Sequence, residues 1–109
     1  MLALVRATPN LTSISLNACQ SAGTDAVVQG IAAACPHLTS ASFYWCVRLG
    51  DAGVRALAER CPALTVLNLS GCRNLTDAGA AHIAKLTSLV DLNLTRCGVF
   101  YLRGGVKRV

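Results

Sequence analysis

The chain has 109 residues, of which 53% are hydrophobic and 14% are charged, and it carries a formal net charge of +5. So apolar a chain is excluded from the disordered class, and its length fits one packed domain. No apolar run approaches the roughly 18 residues that a membrane helix needs, which excludes a transmembrane protein.

The first predicted element is the tail of a repeat helix, residues 1–8, because Ala3–Pro9 aligns with Ala56–Pro62 further along the chain. Repeated units then follow from residue 9, and each begins with the strand half P-x-L-x-x-L-x-L-x-x-C or a close variant. Their boundaries are 9–35, 36–61, 62–86 and a partial unit, 87–97. A period of this length is typical of a stack of repeats, because one unit cannot bury its apolar face alone.

Each unit combines a short strand with a helix. In the third unit Leu67 and Leu69 alternate with Asn68, so the two leucines lie on one face of a strand. Parallel strands need a crossover, and the helical spacing of residues 49–61 supplies one that starts near Gly50 or Asp51. In the third unit the equivalent helix is predicted over 78–85.

This pattern resembles the cysteine-containing leucine-rich repeat, as found in F-box substrate receptors of SCF ubiquitin ligases, and the resemblance covers about Ala3 to Cys97. It implies an α/β leucine-rich repeat solenoid of about four repeats, with a curved parallel sheet inside and short helices outside. The chain begins within a repeat helix, and no part of it matches an F-box. We therefore expect a poorly capped fragment that ends in an irregular basic tail, 98–109.

Six cysteines mark equivalent places in the units and contain no C-x-x-C pair, which argues against zinc and thioredoxin-like sites. We expect reduced, structural thiols at Cys19, Cys35, Cys46, Cys61, Cys72 and Cys97. The cysteines that follow a strand are placed to donate a hydrogen bond to a neighbouring backbone carbonyl. The cysteines that precede a proline lie at helix ends, where we expect apolar packing. Unpaired thiols and an N-terminus without a signal peptide favour the cytoplasm, the nucleus or both.

No catalytic arrangement is found, so we expect no enzyme, no cofactor and no metal. His37 and His82 occupy positions where a neighbouring unit has alanine, which predicts surface sites. Asp25, Asp51 and Asp77 are one repeated position near helix starts, where a carboxylate favours the helix dipole.

The predicted working surface is the concave face of the sheet together with the strand ends. The candidate partner-binding residues are Ser15, Asn17, Ser42, Tyr44, Trp45, Arg48, Asn68, Ser70, Arg73, Asp91, Asn93 and Arg96. Tyr44 and Trp45 stand out, because aromatic residues and arginine carry binding hot spots. The alternative is that Trp45 covers the edge of the core and Tyr44 packs on neighbouring strands.

The resemblance implies a protein–protein interaction module, the substrate-recognition repeats of an F-box-type SCF subunit in ubiquitin-dependent degradation. Its partner is then a protein target on the concave face, with a Skp-type adaptor and a cullin reached only through an F-box outside this chain. The alternative is a general intracellular scaffold, cytoskeletal, axonemal or signalling, without a ligase role. Nucleic acid is not an expected partner, since the excess positive charge lies in the last residues, nor is a membrane.

Overall fold

The computed structural model describes residues 5–19 and 23–97, and in these ranges short strands alternate with helices. The elements in chain order are β1 (Ser13–Ser15), α1 (Asp25–Ala34), β2 (Ser40–Ser42), α2 (Asp51–Arg60), β3 (Val66–Asn68), α3 (Asp77–Ile83) and β4 (Asp91–Asn93). The predicted basic tail, 98–109, lies outside the described residues, as do the first four residues of the predicted helix tail.

The strands form one parallel sheet in the order β1-β2-β3-β4. Its register follows the sequence period, and the middle residues of the strands pair as Ile14 with Ala41, Ala41 with Leu67 and Leu67 with Leu92. Each helix is the crossover that a parallel connection requires. This is the α/β repeat architecture that the sequence predicts.

The core runs through all the repeats as one cluster of buried apolar side chains. Leu67 and Leu69 are 1% and 0% exposed, while Val66 beside them is 37% exposed. Phe43 takes the place that leucine fills in the other units and is fully buried. Burying one such side chain stabilises the fold by about 1.5–3 kcal/mol, so the stack depends on this column of residues.

The helices begin with caps that reach across repeats. The Asp25 carboxylate accepts hydrogen bonds from the backbone N–H groups of Gly50, at 2.8 Å, and Gly53, at 2.9 Å, at the start of α2. Asp51 does the same for α3, because its carboxylate accepts from the N–H of Thr76 at 2.9 Å and from the Thr76 hydroxyl. Gly50 has no side-chain cap of its own, and the neighbouring repeat supplies one. We call these contacts the aspartate ladder.

The ladder explains the D-A-G sequence at the start of α2 and α3. A Cβ atom on Gly53 would lie 2.8 Å from Asp25 Oδ1 and would also meet the buried Leu49 side chain. A Cβ on Gly79 would collide with Asp51 Oδ1. Glycine therefore leaves the space into which the aspartate of the preceding repeat fits.

The helix ends differ between units. In α1 and α2 the N–H of Cys35 and Cys61 closes the last turn, and the proline that follows prevents continuation. The prediction of a helix over 78–85 is wrong at its C-terminal end, since α3 ends at Ile83. There Lys85 and Leu86 donate to carbonyls three residues back, which tightens the turn and ends the α-helix. In the described part of the chain, no helix is long and apolar enough to span a bilayer.

Candidate functional site

The sheet has one face on the core and one that carries mostly polar side chains. We call the second the open sheet face. Its residues alternate with the strand leucines and are Ser13, Ser15, Ser40, Ser42, Val66, Asn68, Asp91 and Asn93. All are exposed or half-buried, so this face, predicted as concave, is open to a partner.

Beyond the strands, the turns that follow them also lie side by side. Backbone hydrogen bonds continue from turn to turn, from the Ala18 N–H to the Tyr44 carbonyl (2.6 Å), from Trp45 to Ser70 (2.7 Å) and from Gly71 to Thr95 (2.9 Å). Gly50 and Asn74 extend the alignment with a parallel bridge. The strand-exit surface, as we name it, consists of Asn17, Tyr44, Trp45, Arg48, Arg73 and Arg96.

Trp45 is the centre of this surface. Its backbone has a φ of +60°, a left-handed conformation that is uncommon for a bulky residue. The ring makes a T-shaped contact with Tyr44, with centroids 5.8 Å apart, and the Arg73 guanidinium carbon lies 5.2 Å from the ring centroid. It also packs on Gly71, where a Cβ would lie 2.6 Å from a ring atom. The ring is thus half-buried and fixed, while Tyr44 is 41% exposed.

Three asparagines fix the ends of the strands. Asn17 Oδ1 accepts from the Tyr44 N–H at 3.1 Å and from the Ser42 hydroxyl at 2.6 Å. Within their own repeats, Asn68 accepts from the Ser70 N–H, and Asn93 from the Thr95 N–H and hydroxyl. A backbone N–H only donates, so it fixes which amide atom is the oxygen. The amide NH₂ groups are left to donate elsewhere.

The cysteines form two columns of donors to carbonyls of the preceding repeat. After the strands, the Sγ atoms of Cys46, Cys72 and Cys97 lie 2.8, 3.1 and 2.6 Å from the carbonyl oxygens of Leu16, Phe43 and Leu69. Cys19 donates within its own turn, to the Asn17 carbonyl at 3.6 Å.

At the helix ends the contacts are longer. Cys61 Sγ lies 3.5 Å from the Cys35 carbonyl, and Cys35 Sγ lies 3.8 Å from the Val5 carbonyl. All six thiols are unpaired. Burial raises the pKa of Cys72 to about 12 and that of Cys61 to about 11, and it also raises the pKa of Cys35, Cys46 and Cys97.

Comparison with known proteins adds one match. A leucine-rich repeat family model, described as "Leucine Rich repeat", matches residues 60–84, the segment from the end of α2 through β3 and α3. No curated protein matches the chain. The match supports a leucine-rich repeat family. With the parallel sheet and alternating helices, it identifies the fold as an α/β leucine-rich repeat fold.

Leucine-rich repeats are generally interaction modules without enzymatic activity, and they typically bind protein partners along an extended surface. This is consistent with the open sheet face and the strand-exit surface. In the described residues, no three side chains among His, Cys, Asp and Glu come together in a way that could hold a metal ion.

Two predicted positions lie elsewhere than expected. Ser70 is 5% exposed and its hydroxyl lies 2.8 Å from that of Thr95, so we leave it out of the binding surface. His82, expected at the surface, is half-buried, and its Nδ1 atom has no hydrogen-bond partner among the residues that the structure describes. It lies on α3, which packs against α2. Asp91 is exposed at the opposite end of its strand from Arg96.

The aspartate ladder is the feature that sequence reasoning missed. The sequence alone predicts only that the repeated aspartates favour the dipole of their own helix, whereas Asp25 and Asp51 cap the helix of the following repeat. A signal was present in the sequence, because the aspartate of one unit is followed, 28 residues later, by a glycine at Gly53 and again at Gly79.

Proposed function

We propose that the chain binds a protein target through the open sheet face and the strand-exit surface, as the substrate-recognition repeats of an F-box-type SCF ubiquitin ligase subunit. The observation that carries the binding proposal is the cluster of Tyr44, Trp45 and Arg73 at the edge of the open sheet face. Tyrosine, tryptophan and arginine are the residues most enriched in binding hot spots.

The cluster is organised before a partner arrives. The Trp45 backbone is held by its hydrogen bond to the Ser70 carbonyl, and the ring rests on Gly71 and below Arg73. A side chain that is already fixed loses little entropy on binding, which leaves more of the contact energy for affinity. Tyr44 extends from this base as the exposed aromatic contact.

The ligase part of the proposal rests on the resemblance of the repeated cysteine units to F-box substrate receptors. In that role the repeats hold the target, while a Skp-type adaptor and a cullin bind through an F-box outside this chain. Ubiquitin would then be transferred to the held target in the cytoplasm or nucleus. A general scaffold would use the same surface without adaptor or cullin.

Affinity purification of the full-length protein from the cells that express it tests the binding surface. The double variant Tyr44→Ala with Arg48→Ala removes exposed side chains of the strand-exit surface. Its matched control, Arg55→Ala with Glu59→Ala, removes the exposed ion pair of α2, whose Nε and Oε2 atoms are 3.0 Å apart. We expect a protein that co-purifies with the unaltered chain and the α2 control and is lost from the Tyr44/Arg48 variant.

If the same proteins are retained by both double variants, the binding surface lies elsewhere. The same purification distinguishes ligase from scaffold. Co-purification of adaptor and cullin together with the target supports the ligase role. A target that is retained through Tyr44 and Arg48 while adaptor and cullin are consistently missing contradicts that role and favours the scaffold.

A further inference from the structure

We propose that the strand-exit surface binds an acidic, extended segment of its protein partner. This inference rests on the proposed function and specifies the chemistry of its partner. It is carried by the charges and hydrogen-bond donors that the surface leaves unused.

Three arginines supply the positive charge. Arg48, Arg73 and Arg96 are exposed and follow β2, β3 and β4, whose carboxyl ends lie at one edge of the parallel sheet. Neighbouring strands are about 4.8 Å apart and the turns that follow them are hydrogen-bonded side by side, so the three turns that carry these arginines lie along this edge. In the part of the chain that the structure describes, the ion pair is Arg55 with Glu59, on the helical side, and none of the three arginines has a carboxylate partner.

The carboxylates that begin the helices are largely committed. Asp25 begins α1, after β1, and Asp51 begins α2, after β2, and both are bonded to the next repeat through the aspartate ladder. Asp77, which is exposed, makes no hydrogen bond with another described residue. Of the carboxylates that begin the described helices, Asp77 alone is uncommitted, against three exposed arginines after the strands, so this edge has an excess of positive charge.

Asparagines at the ends of the strands add neutral donors beside the arginines. The amide oxygens of Asn17, Asn68 and Asn93 accept from backbone N–H groups, which leaves their NH₂ groups without a partner among the described residues. Unused donors are therefore present on the strand-exit surface, at Asn17 and the arginines, and on the adjoining open sheet face, at Asn68 and Asn93. Carboxylates are acceptors only, and they bind arginine through two parallel hydrogen bonds.

The aromatic residues favour a protein over a nucleic acid. Proteins that bind single strands offer aromatic faces on which successive bases stack. Here the Trp45 ring already contacts Gly71, Tyr44 and Arg73, so its faces are largely used within the molecule. One exposed tyrosine remains, and it fits an apolar side chain interspersed among acidic residues.

Fluorescence titration of the full chain tests the inference, with a labelled peptide of alternating glutamate and serine as the probe. The matching peptide of glutamine and serine has the same length without the charge. We expect the glutamate peptide to bind and the glutamine peptide not to bind. The affinity for the glutamate peptide should fall as salt is added, because salt screens exposed charges.

Two charge-matched variants locate the binding. Arg48→Gln, Arg73→Gln and Arg96→Gln together remove three positive charges from the strand-exit surface, while Arg103→Gln, Lys107→Gln and Arg108→Gln remove three from the basic tail. We expect the first variant to lose about tenfold or more in affinity, about 1.4 kcal/mol, and the second to stay within about twofold. Circular dichroism checks that both variants fold as the unaltered chain does.

Equal loss in both variants, or loss in the tail variant alone, would overturn the inference, since the peptide would then be responding to net charge. So would tighter binding of single-stranded polyuridine than of the glutamate peptide, lost in the same arginine variant. If no peptide binds although a protein is still captured through Tyr44 and Arg48, the acidic partner is wrong and the proposed function stands. If the peptide binds as expected but no protein is captured, the proposed function fails.

Discussion

At the scale of single residues, the thiols that follow β2, β3 and β4 bond to the preceding repeat. Cys46, Cys72 and Cys97 each reach a carbonyl of the preceding repeat, and the first two are fully buried. Desolvation disfavours the thiolate, which is why the pKa of Cys72 rises to about 12. Because the thiolate is the reactive form, burial protects these side chains twice, by low ionisation and by low access.

Alkylation should therefore separate the cysteines. Cys19 is half-buried and donates only within its own turn, whereas Cys72 is enclosed. At mildly alkaline pH in the folded chain, we expect iodoacetamide to modify Cys19 at least about tenfold faster than Cys72. Mass spectrometry of the peptides over time measures both rates, and urea-unfolded chain is the control in which they converge. Similar rates in the folded chain would contradict the enclosed position of Cys72.

The candidate site is predictable from the sequence in its composition but not in its geometry. The repeat alignment places Tyr44, Trp45 and the arginines at strand ends, and that depends only on the period. It does not show that Ser70 is buried, because that follows from its contact with Thr95 of the next repeat. The left-handed backbone at Trp45 is equally hidden, since tryptophan has no preference for it and Gly71 makes the room.

At the scale of the elements, α2 and α3 are each capped by an aspartate of the preceding repeat. The L-x-L alternation predicts the strands well, because burial of the two leucines is a local property of the pleat. The aspartate ladder joins residues 25 to 28 positions apart, and only the stacking of repeats brings them together. Local propensity therefore predicts that Asp25 favours its own helix and misses that it completes α2.

Replacing the aspartates should separate the two roles. Each of Asp25 and Asp77 begins a helix, but only Asp25 caps a following one in the described residues. We expect Asp25→Ala to lower the free energy of unfolding by about 1–3 kcal/mol, because the backbone N–H groups of Gly50 and Gly53 lose their acceptor. For Asp77→Ala we expect about 0.3–1 kcal/mol, the part due to the dipole.

Urea unfolding followed by circular dichroism measures both changes. The two aspartates share their helix position and their neighbouring alanine, so the difference between them isolates the contact across repeats. Equal losses would show that the ladder contributes nothing beyond the dipole. A charge-only effect is excluded separately by Asp25→Asn, which keeps an oxygen acceptor and should retain more stability than Asp25→Ala.

At the scale of the whole molecule, stability is shared by neighbours in a stack. Among the described helices and strands, each repeat contacts only the repeats beside it, through paired strands, packed helices, the thiol bonds and the aspartate ladder. The third unit lies between two others, since β3 pairs with both β2 and β4. A defect in the third unit therefore weakens its interfaces with the second and the fourth units at once. The turns of the strand-exit surface depend on both of these interfaces.

Two adjacent residues of β3 test this dependence. Leu67 is 1% exposed within the shared core and Val66 is 37% exposed on the open sheet face. We expect Leu67→Ala to lower the free energy of unfolding by about 2–5 kcal/mol, because the loss of buried contacts leaves a cavity. Val66→Ala should change it by about 0.5 kcal/mol or less, as an exposed position does.

Hydrogen exchange then shows how far the defect spreads. In a stack coupled through nearest neighbours, the amides of β2 and β4 should exchange faster in Leu67→Ala along with those of β3, while Val66→Ala leaves all three unchanged. Faster exchange confined to β3 would contradict this coupling. Since Trp45 and Gly71 hold the strand-exit surface from the turns after β2 and β3, loss of that protection would also loosen the surface we propose for binding.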